Sequence, residues 1–459
     1  MTKDRLLEMV RDSTQTMTFR QKLMLVAMLS LPAMIAQLSS VVMQVIDASM
    51  LGHLGTHEAA AVGLMSTTIW LFGGVTSGLA TGFYVQVAHR IGANDAKRAR
   101  SIVKQGISCG LVFSCVMTLI GLVIAPCLPV WLGAAEAIRG NASLYFSVVV
   151  LAMPLLMMNN LAAGSLRCSG NVKTPSMLGV LMCVLDVLFN YLFIFVFGMG
   201  VLGAAVGTLL SYLVTMSLMM YCLVARDRNL RFSLDAVQKF RPHWDTLSNV
   251  MKIGTPISLE RGVMSGAQVA ISGIIAPMGS VAIAANTFGV NVESLCYMPG
   301  YGVAEAATTL VGQSMGARRQ ELMRSFAWIS VLLGMAIMAV MGVVMWVFAP
   351  EMMSIVTSDA DVIRLGTDVL RIEAWAEPGF AAAIVAYSVF VGAGRTMGSS
   401  VLNLVSIWGV RLTLALALAP SMGLHGVWIA MAVELTFRGI AFLLRLRFRL
   451  KIRENCRQA

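Results

Sequence analysis

The chain has 459 residues, 58% of them hydrophobic and only 12% charged, with a mean hydropathy of +0.78. Soluble globular chains carry about 25% charged residues, so that class is excluded. The formal charge of +11 would suit a nucleic-acid binder, but such a footprint gathers on one domain, whereas the basic residues here are spread between apolar runs; nucleic acid is excluded as a partner.

Roughly 20 apolar residues cross a bilayer, and twelve runs of that kind follow in order: 22–50, 58–89, 99–126, 134–166, 174–198, 202–224, 247–276, 282–314, 320–348, 360–390, 399–420 and 424–445. They predict an all-α integral membrane protein with twelve transmembrane helices. No short apolar segment with a cleavage site opens the chain, so no removable signal peptide is expected. Basic residues mark every second loop. Lys3, Arg5, Arg11, Arg20 and Lys22 precede the first run; Arg90, Lys97, Arg98 and Arg100 follow the second; Arg167 and Lys173 follow the fourth. Arg226, Arg228, Arg231, Lys239 and Arg241 follow the sixth, Arg318, Arg319 and Arg324 the eighth, and Arg395 the tenth. Arg445, Arg447, Arg449, Lys451 and Arg453 close the chain. The positive-inside rule then predicts cytoplasmic N- and C-termini in a cytoplasmic (inner) membrane.

The expected organisation is a cytoplasmic segment (1–21), a six-helix bundle (22–224), a linker (225–246), a second six-helix bundle (247–445) and a basic tail (446–459). The two bundles repeat each other at an offset of 224 residues: Pro32 answers Pro256, Pro154 answers Pro378, and Gly170 answers Gly394. Near the end the offset drops to 223, so that Gly203 meets Gly426. A duplicated hydrophobic chain is the architecture of secondary transporters. Eight cysteines show no metal-ligand spacing, and stretches such as Gly392–Gly394 lack the Lys-Ser/Thr that grips a phosphate. No cofactor is expected, nor a hydrolytic site such as HExxH, so the chain does not read as an enzyme.

Comparing one repeat with the other separates scaffold from chemistry. Gln37, Ser40, Gln44 and Asp47 form a polar stripe on the first helix, and their counterparts are Arg261, Met264, Gln268 and Ile271. Asp186 and Asn190 share a face of the fifth helix, against Val410 and Leu414; Asn160 meets Ile384, and Thr208 meets Met431. Asp47, Asn160, Asp186, Asn190 and Thr208 thus belong to the N-terminal repeat alone. Carboxylate, carbonyl and hydroxyl oxygens are what a hard cation needs, and the same carboxylates take up protons. The set is the candidate H⁺ or Na⁺ coupling site, with Na⁺ at Asp47, Asp186, Asn190 and Thr208. The plain alternatives are a solvated interfacial acid at Asp47, five residues before Gly52, and an Asp186–Asn190 pair that only satisfies itself.

In the second repeat Glu260, Glu293, Glu305, Glu373, Glu377 and Glu434 lie in or near the helices; Glu434 and Arg438 are expected to pair at i, i+4, and Arg261 and Arg411 to neutralise two of the other acids, with Glu260 and Glu377 kept as second-site acids. Thirty-four methionines suit a cavity that accepts varied apolar shapes. The candidate substrate cavity is Gln37, Gln44, Met43, Met157, Glu260, Met264 and Gln268.

Residues 45–52 (VIDASMLG), 164–175 (GSLRCSGNVKTP), 200–208 (GVLGAAVGT), 299–302 (PGYG) and 309–317 (TLVGQSMGA) together resemble the signatures of the multidrug and toxic compound extrusion (MATE) family. The resemblance runs over essentially the whole chain. It implies two pseudo-symmetric six-helix bundles and the export of cationic, lipophilic drugs or dyes by alternating access, in exchange for inward H⁺ or Na⁺. Asp47 matches the family's essential first-helix acid, and Asn160, Asp186, Asn190 and Thr208 match its cation network. The helix-five pair reads Asp then Asn, the reverse of the family order. Glu260 sits one turn early and Gly379 stands where a helix-ten acid follows the proline in NorM-like members, which points to a DinF-like, N-lobe site. A monomer is expected. The rival reading, a lipid-linked oligosaccharide flippase of the same superfamily, calls for a cavity lined with Arg or Lys; the N-terminal repeat offers acids.

Overall fold

The computed structural model describes residues 2–12, 14–232 and 243–450. Lys239 and Arg241 of the expected linker, and Lys451 and Arg453 of the expected tail, lie outside the described residues. A short helix, α1 (Lys3–Arg11), buries Leu6, Leu7, Met9 and Val10. The long helices of the first repeat are α2 (Phe19–Leu54), α3 (Thr56–Gly92), α4 (Ala96–Ile124), α5 (Glu136–Leu151), α6 (Met153–Ser169), α7 (Lys173–Val196) and α8 (Gly200–Arg226). Those of the second are α9 (Trp244–Ile275), α10 (Ser280–Gly316), α11 (Gln320–Val356), α12 (Ala360–Ala374), α13 (Glu377–Gly392), α14 (Met397–Met422) and α15 (Leu424–Arg449). No strand occurs among the described residues.

Each predicted span falls on one long helix or on one bent pair. Spans 134–166 and 360–390, expected as single runs, are broken: α5 and α6 meet at 40°, α12 and α13 at 59°. Pro154 and Pro378, each the second residue of the later helix, supply the cause. Proline has no N–H to donate and its ring crowds the preceding turn, so it is tolerated where a helix begins and not where one continues. Eight helices are long and apolar enough to cross a membrane by themselves, and the bent pairs bring the number to ten; among the described residues α9 and α10 fall short of that measure.

The chain forms two compact units, residues 39–262 and residues 1–38 with 263–459. The expected bundles were 22–224 and 247–445, and the division instead runs inside α2, after Leu38, and inside α9, after Gly262. Those two positions are themselves 224 residues apart. The leading half of each repeat's first helix therefore packs with the other repeat, and glycines explain how. In the unit of residues 39–262, α3 carries Gly74, Gly78 and Gly82 on one face. A Cβ on Gly78 would lie 2.9 Å from the carbonyl oxygen of Gly254, and one on Gly82 would lie 2.6 Å from that of Val250. With no side chain in the way, α3 meets the first half of α9 backbone to backbone, and Ser258 Oγ donates to the Val75 carbonyl at 3.0 Å. Lipid gives helices no hydrophobic drive to associate, so close packing through small residues does that work. In the other unit, a Cβ on Gly302 of α10 would lie 2.6 Å from the backbone nitrogen of Met34 on α2. Gly78 with Gly302, and Met34 with Ser258, are repeat equivalents. One contact has been built twice.

The unit of residues 39–262 is filled by Phe83, Met157, Leu161 and Leu166 among others. The other unit has Trp428, Met345 and Met353 at its core. It also holds a buried ion cluster. A π-helical turn at Ser406–Arg411 widens α14 and brings both of its ends to Glu434 of α15. Ser406 Oγ donates to Glu434 Oε1, Arg411 Nη2 lies 3.0 Å from Oε2, and Arg438 Nε lies 3.2 Å from Oε1. The expected Glu434–Arg438 pair is present, and Arg411 joins it.

Two stability predictions follow from these contacts. Gly78→Val or Gly302→Val should lower stability by about 1–3 kcal/mol, the usual range for overpacking. Glu434→Gln leaves Arg411 and Arg438 without their buried counter-charge and should cost about 3–5 kcal/mol. Melting curves of the detergent-solubilised proteins check both; a Glu434→Gln protein that melts with the wild type would refute the ion-cluster account.

Candidate functional site

Four of the five residues singled out for cation coupling meet in the unit of residues 39–262. Asp186 and Asn190 lie one turn apart on α7, so their side chains share a face. Asn190 donates from Nδ2 to Asp186 Oδ2 at 3.1 Å and to Asp47 Oδ1 at 3.0 Å. The two carboxyl groups lie within electrostatic range of each other, and the Thr208 hydroxyl from α8 stands near Asp186. Asp186 and Asn190 are buried, Asp47 and Thr208 half-buried. Asp47 is therefore held in a network with Asp186 and Asn190, and the Asp186–Asn190 pair does more than satisfy itself.

The seat for Asn190 is made by glycine. A Cβ on Gly207 would collide with Asn190 Oδ1, and one on Gly203 would lie 2.8 Å from the Phe193 carbonyl oxygen. Gly203 and Gly207 sit four residues apart on α8, the small-xxx-small spacing that lets two membrane helices touch. α7 and α8 thus approach closely enough for Thr208 to stand near Asp186.

Chemically, two carboxylates within electrostatic range repel unless a proton or a cation lies with them. Asp186 Oδ1 and Asn190 Oδ1 are buried and accept no hydrogen bond among the described residues. With Asp47 and Thr208 they make an all-oxygen donor set of the kind hard cations take. The same carboxyls can share a proton, so the geometry fits either ion. Tyr145 of α5 and Tyr212 of α8 lie within the electrostatic field of these carboxylates, and the sequence reading missed them. Tyr212 had a usable signal, since it follows Thr208 by four residues on the same helix face.

Other expected residues are scattered. Asn160 is half-buried on α6 and makes no hydrogen bond to this cluster among the described residues. Of the expected substrate cavity, Met157 is fully buried in the core, where it covers Gly110 of α4; it packs the bundle. Gln37 donates to Glu305 Oε1 at 3.2 Å in the other unit. Gln44 and Gln268 are exposed, Met43 and Met264 half-buried. Glu260 is buried and belongs to the unit that holds Asp47.

Among the acids of the second repeat, Glu434 forms the ion pair with Arg411, which also lies within electrostatic reach of Glu293 and Glu373. Glu373 of α12 and Glu377 of α13 are buried, and neither carboxyl has a hydrogen-bond partner among the described residues. Glu293 of α10 is buried within the electrostatic reach of both. Glu373 and Glu377 flank the bend before Pro378, a position where freed backbone and polar side chains collect; that signal was available in the sequence.

The MatE family profile matches residues 32–192 and, a second time, residues 256–416. The second match repeats the first at the 224-residue offset. Among curated proteins, the probable multidrug resistance protein NorM of Thermotoga maritima is 27% identical over 423 residues, 91% of this chain and 90% of that protein. The protein of the same name from Neisseria meningitidis serogroup B is 28% identical over 437 residues, 93% and 94% of the two chains. Among solved structures, an outward-facing multidrug resistance MATE family transporter of the MOP superfamily matches with a TM-score of 0.90 at 24% identity, over 97% of both chains. A MOP superfamily transporter from Pyrococcus furiosus Vc1, described as having a binding pocket of reverse polarity, matches at 0.89 and 23%, again over 97% of both. These likenesses show the twelve-helix MATE fold. Matched by the family profile in both repeats and by the fold along nearly its whole length, the chain belongs to the MatE family of multi-pass membrane transporters, which are not enzymes.

Proposed function

We propose that the protein is a multidrug efflux antiporter of the cytoplasmic membrane, exporting cationic, lipophilic compounds by alternating access in exchange for inward H⁺ or Na⁺. The observation that carries this reading is the Asp47–Asn190–Asp186–Thr208 cluster, which offers a cation two carboxyls and two further oxygens inside one bundle. The multidrug-resistance names of the relatives support the substrate class. Both termini are taken as cytoplasmic from the distribution of arginine and lysine. The N-lobe location of the cluster also motivates assigning the chain to a DinF-like mode of coupling, although the relatives named above carry the NorM name.

Coupling follows from charge. An incoming H⁺ or Na⁺ neutralises the paired carboxyls of Asp47 and Asp186. Their hold on a cationic substrate weakens, and the substrate leaves on the outer side. Each monovalent charge moving inward is worth about 2.3 kcal/mol per 100 mV of membrane potential, so one ion per cycle supports concentrative export.

Asp47→Asn removes one carboxylate and keeps the side-chain volume. The variant should insert and fold as the wild type does, yet lose dye efflux to background in proteoliposomes. Imposing a Na⁺ gradient and a pH gradient separately identifies the coupling ion. Wild-type efflux that survives in Asp47→Asn would sink the assignment; a wild-type protein moving no cationic dye under either gradient would favour the lipid-linked oligosaccharide flippase.

A finer variant is Gly207→Ala, which keeps every polar group and pushes Asn190 off its partners. A lost hydrogen bond to a charged group is worth about 1.5–3 kcal/mol, so the apparent affinity for the coupling ion should change at least about tenfold. Titrating transport against the driving ion reads this directly. An unchanged half-saturating concentration would mean that Asn190 takes no part.

A further inference from the structure

In the unit of residues 1–38 with 263–459, a groove of about 850 Å³ opens at the end of the bundle where the last helix finishes. Three arginines line it, Arg395 from the turn after α13 and Arg445 and Arg449 from α15. The rest of the wall is apolar: Phe390, Leu402, Leu444 and Phe448. Leu444 and Phe448 are 53% and 65% exposed, as side chains on the lipid-facing side of a membrane helix are.

The arginines are held in place. Arg445 stacks its guanidinium over the Phe390 ring, 4.9 Å from the centroid, and donates from Nη1 to the Gly398 carbonyl at 2.6 Å. Gly398 has no side chain to block this, and a Cβ there would strike the guanidinium. Arg395 donates from Nη1 to the Arg449 carbonyl at 2.7 Å. The three positive charges are close enough to repel one another. Among the described residues no acid forms an ion pair with Arg445 or Arg449, and Arg445 Nε is buried with no acceptor. The positive-inside rule accounts for arginines at this end of the molecule, but it does not require them to converge on one greasy groove.

We propose that this groove is a binding site for an anionic phospholipid, with the headgroup phosphate on Arg395, Arg445 and Arg449 and an acyl chain along Leu402, Leu444 and Phe448. Guanidinium forks match phosphate oxygens in pairs, and basic pockets beside transmembrane helices collect acidic headgroups from the charged leaflet. The bound lipid supplies a counter-charge for Arg445 and Arg449 and closes the apolar wall. The site is separate from the Asp47 cluster, so it stands or falls independently of the transport reading.

The test is lipid retention by the full-length protein in native mass spectrometry, with phosphatidylglycerol, cardiolipin or phosphatidylcholine added to the delipidated sample. Wild type should hold one phosphatidylglycerol or cardiolipin and no phosphatidylcholine. The triple variant Arg395→Gln/Arg445→Gln/Arg449→Gln should bind at least about tenfold more weakly. Should that variant fail to insert, Gly398→Ala serves instead: it keeps every charge, displaces Arg445, and should weaken retention in the same direction. Equal retention by wild type and the variants would overturn the proposal, as would equal retention of phosphatidylcholine. Millimolar inorganic phosphate should neither bind nor compete; if it displaces the lipid fully, the groove is a site for a free anion and the lipid assignment fails.

Discussion

The amide of Asn190 does what no apolar side chain in that position can do: it ties a carboxyl on α2 to a carboxyl on α7 inside a membrane bundle. A charged residue at the centre of a membrane helix costs about 2.5–3.5 kcal/mol on insertion scales, and two acids side by side add their mutual repulsion. A proton or a cation bound between them would remove that repulsion. The demands of the bridge spread outward through the fold. Asn190 needs the gap left by Gly207, and Gly207 with Gly203 needs α7 and α8 at backbone distance. That spacing in turn brings Thr208 near Asp186. The chemistry of the cluster is thus written in small residues as much as in polar ones.

The helix that carries Asp47 has a second role. Residues up to Leu38 of α2 belong to one compact unit and residues from Ser39 onward to the other. Met34 lies in the notch at Gly302, and Gln37 bonds Glu305, both in the first of these units. A change in the charge of Asp47 is therefore made on a helix that is structurally part of both units. The repeat equivalent, α9, is shared in the same way but brings Ile271 where α2 brings Asp47. In the proposed exchange, duplication supplied two shared helices and divergence put the cation chemistry on one of them.

Much of this was legible in the sequence, because membrane helices declare themselves by length and the repeat gave every position a control. Asp47, Asp186, Asn190 and Thr208 were found by asking which polar residues lacked a polar counterpart, and the structure brings these four together. Asn160 passed the same filter and lies apart from them. The filter reads composition, and only packing decides which way a half-buried side chain is turned. Met157 was misplaced for a related reason: a flexible apolar side chain suits a cavity wall and a core equally, and only the presence of Gly110 beneath it assigns it to the core. The bends at Pro154 and Pro378 were written plainly in the residue type, yet hydropathy averages run straight across them. The exchange of half-helices was not legible, since a linear pattern gives a helix's length and says nothing about which neighbour each half prefers.

Glu373 and Glu377 resist the reading that intramembrane charge is normally cancelled by a partner. Arg411 and Arg438 are available in the same unit and both go to Glu434, while the two carboxyls beside the α12–α13 bend are left without a hydrogen bond among the described residues. Simple charge balance would have spread the arginines. Concentrating them on one acid makes Glu434 a structural anchor for α14 and α15, and an unpaired buried charge is far costlier than a buried neutral acid. The second repeat therefore holds one acid between two arginines and leaves Glu373 and Glu377 without a hydrogen-bond partner among the described residues. The first repeat has no arginine in its cluster and uses Asn190, a neutral donor, to hold its acids together. A neutral bridge leaves their combined charge free to change, and a guanidinium would have fixed it.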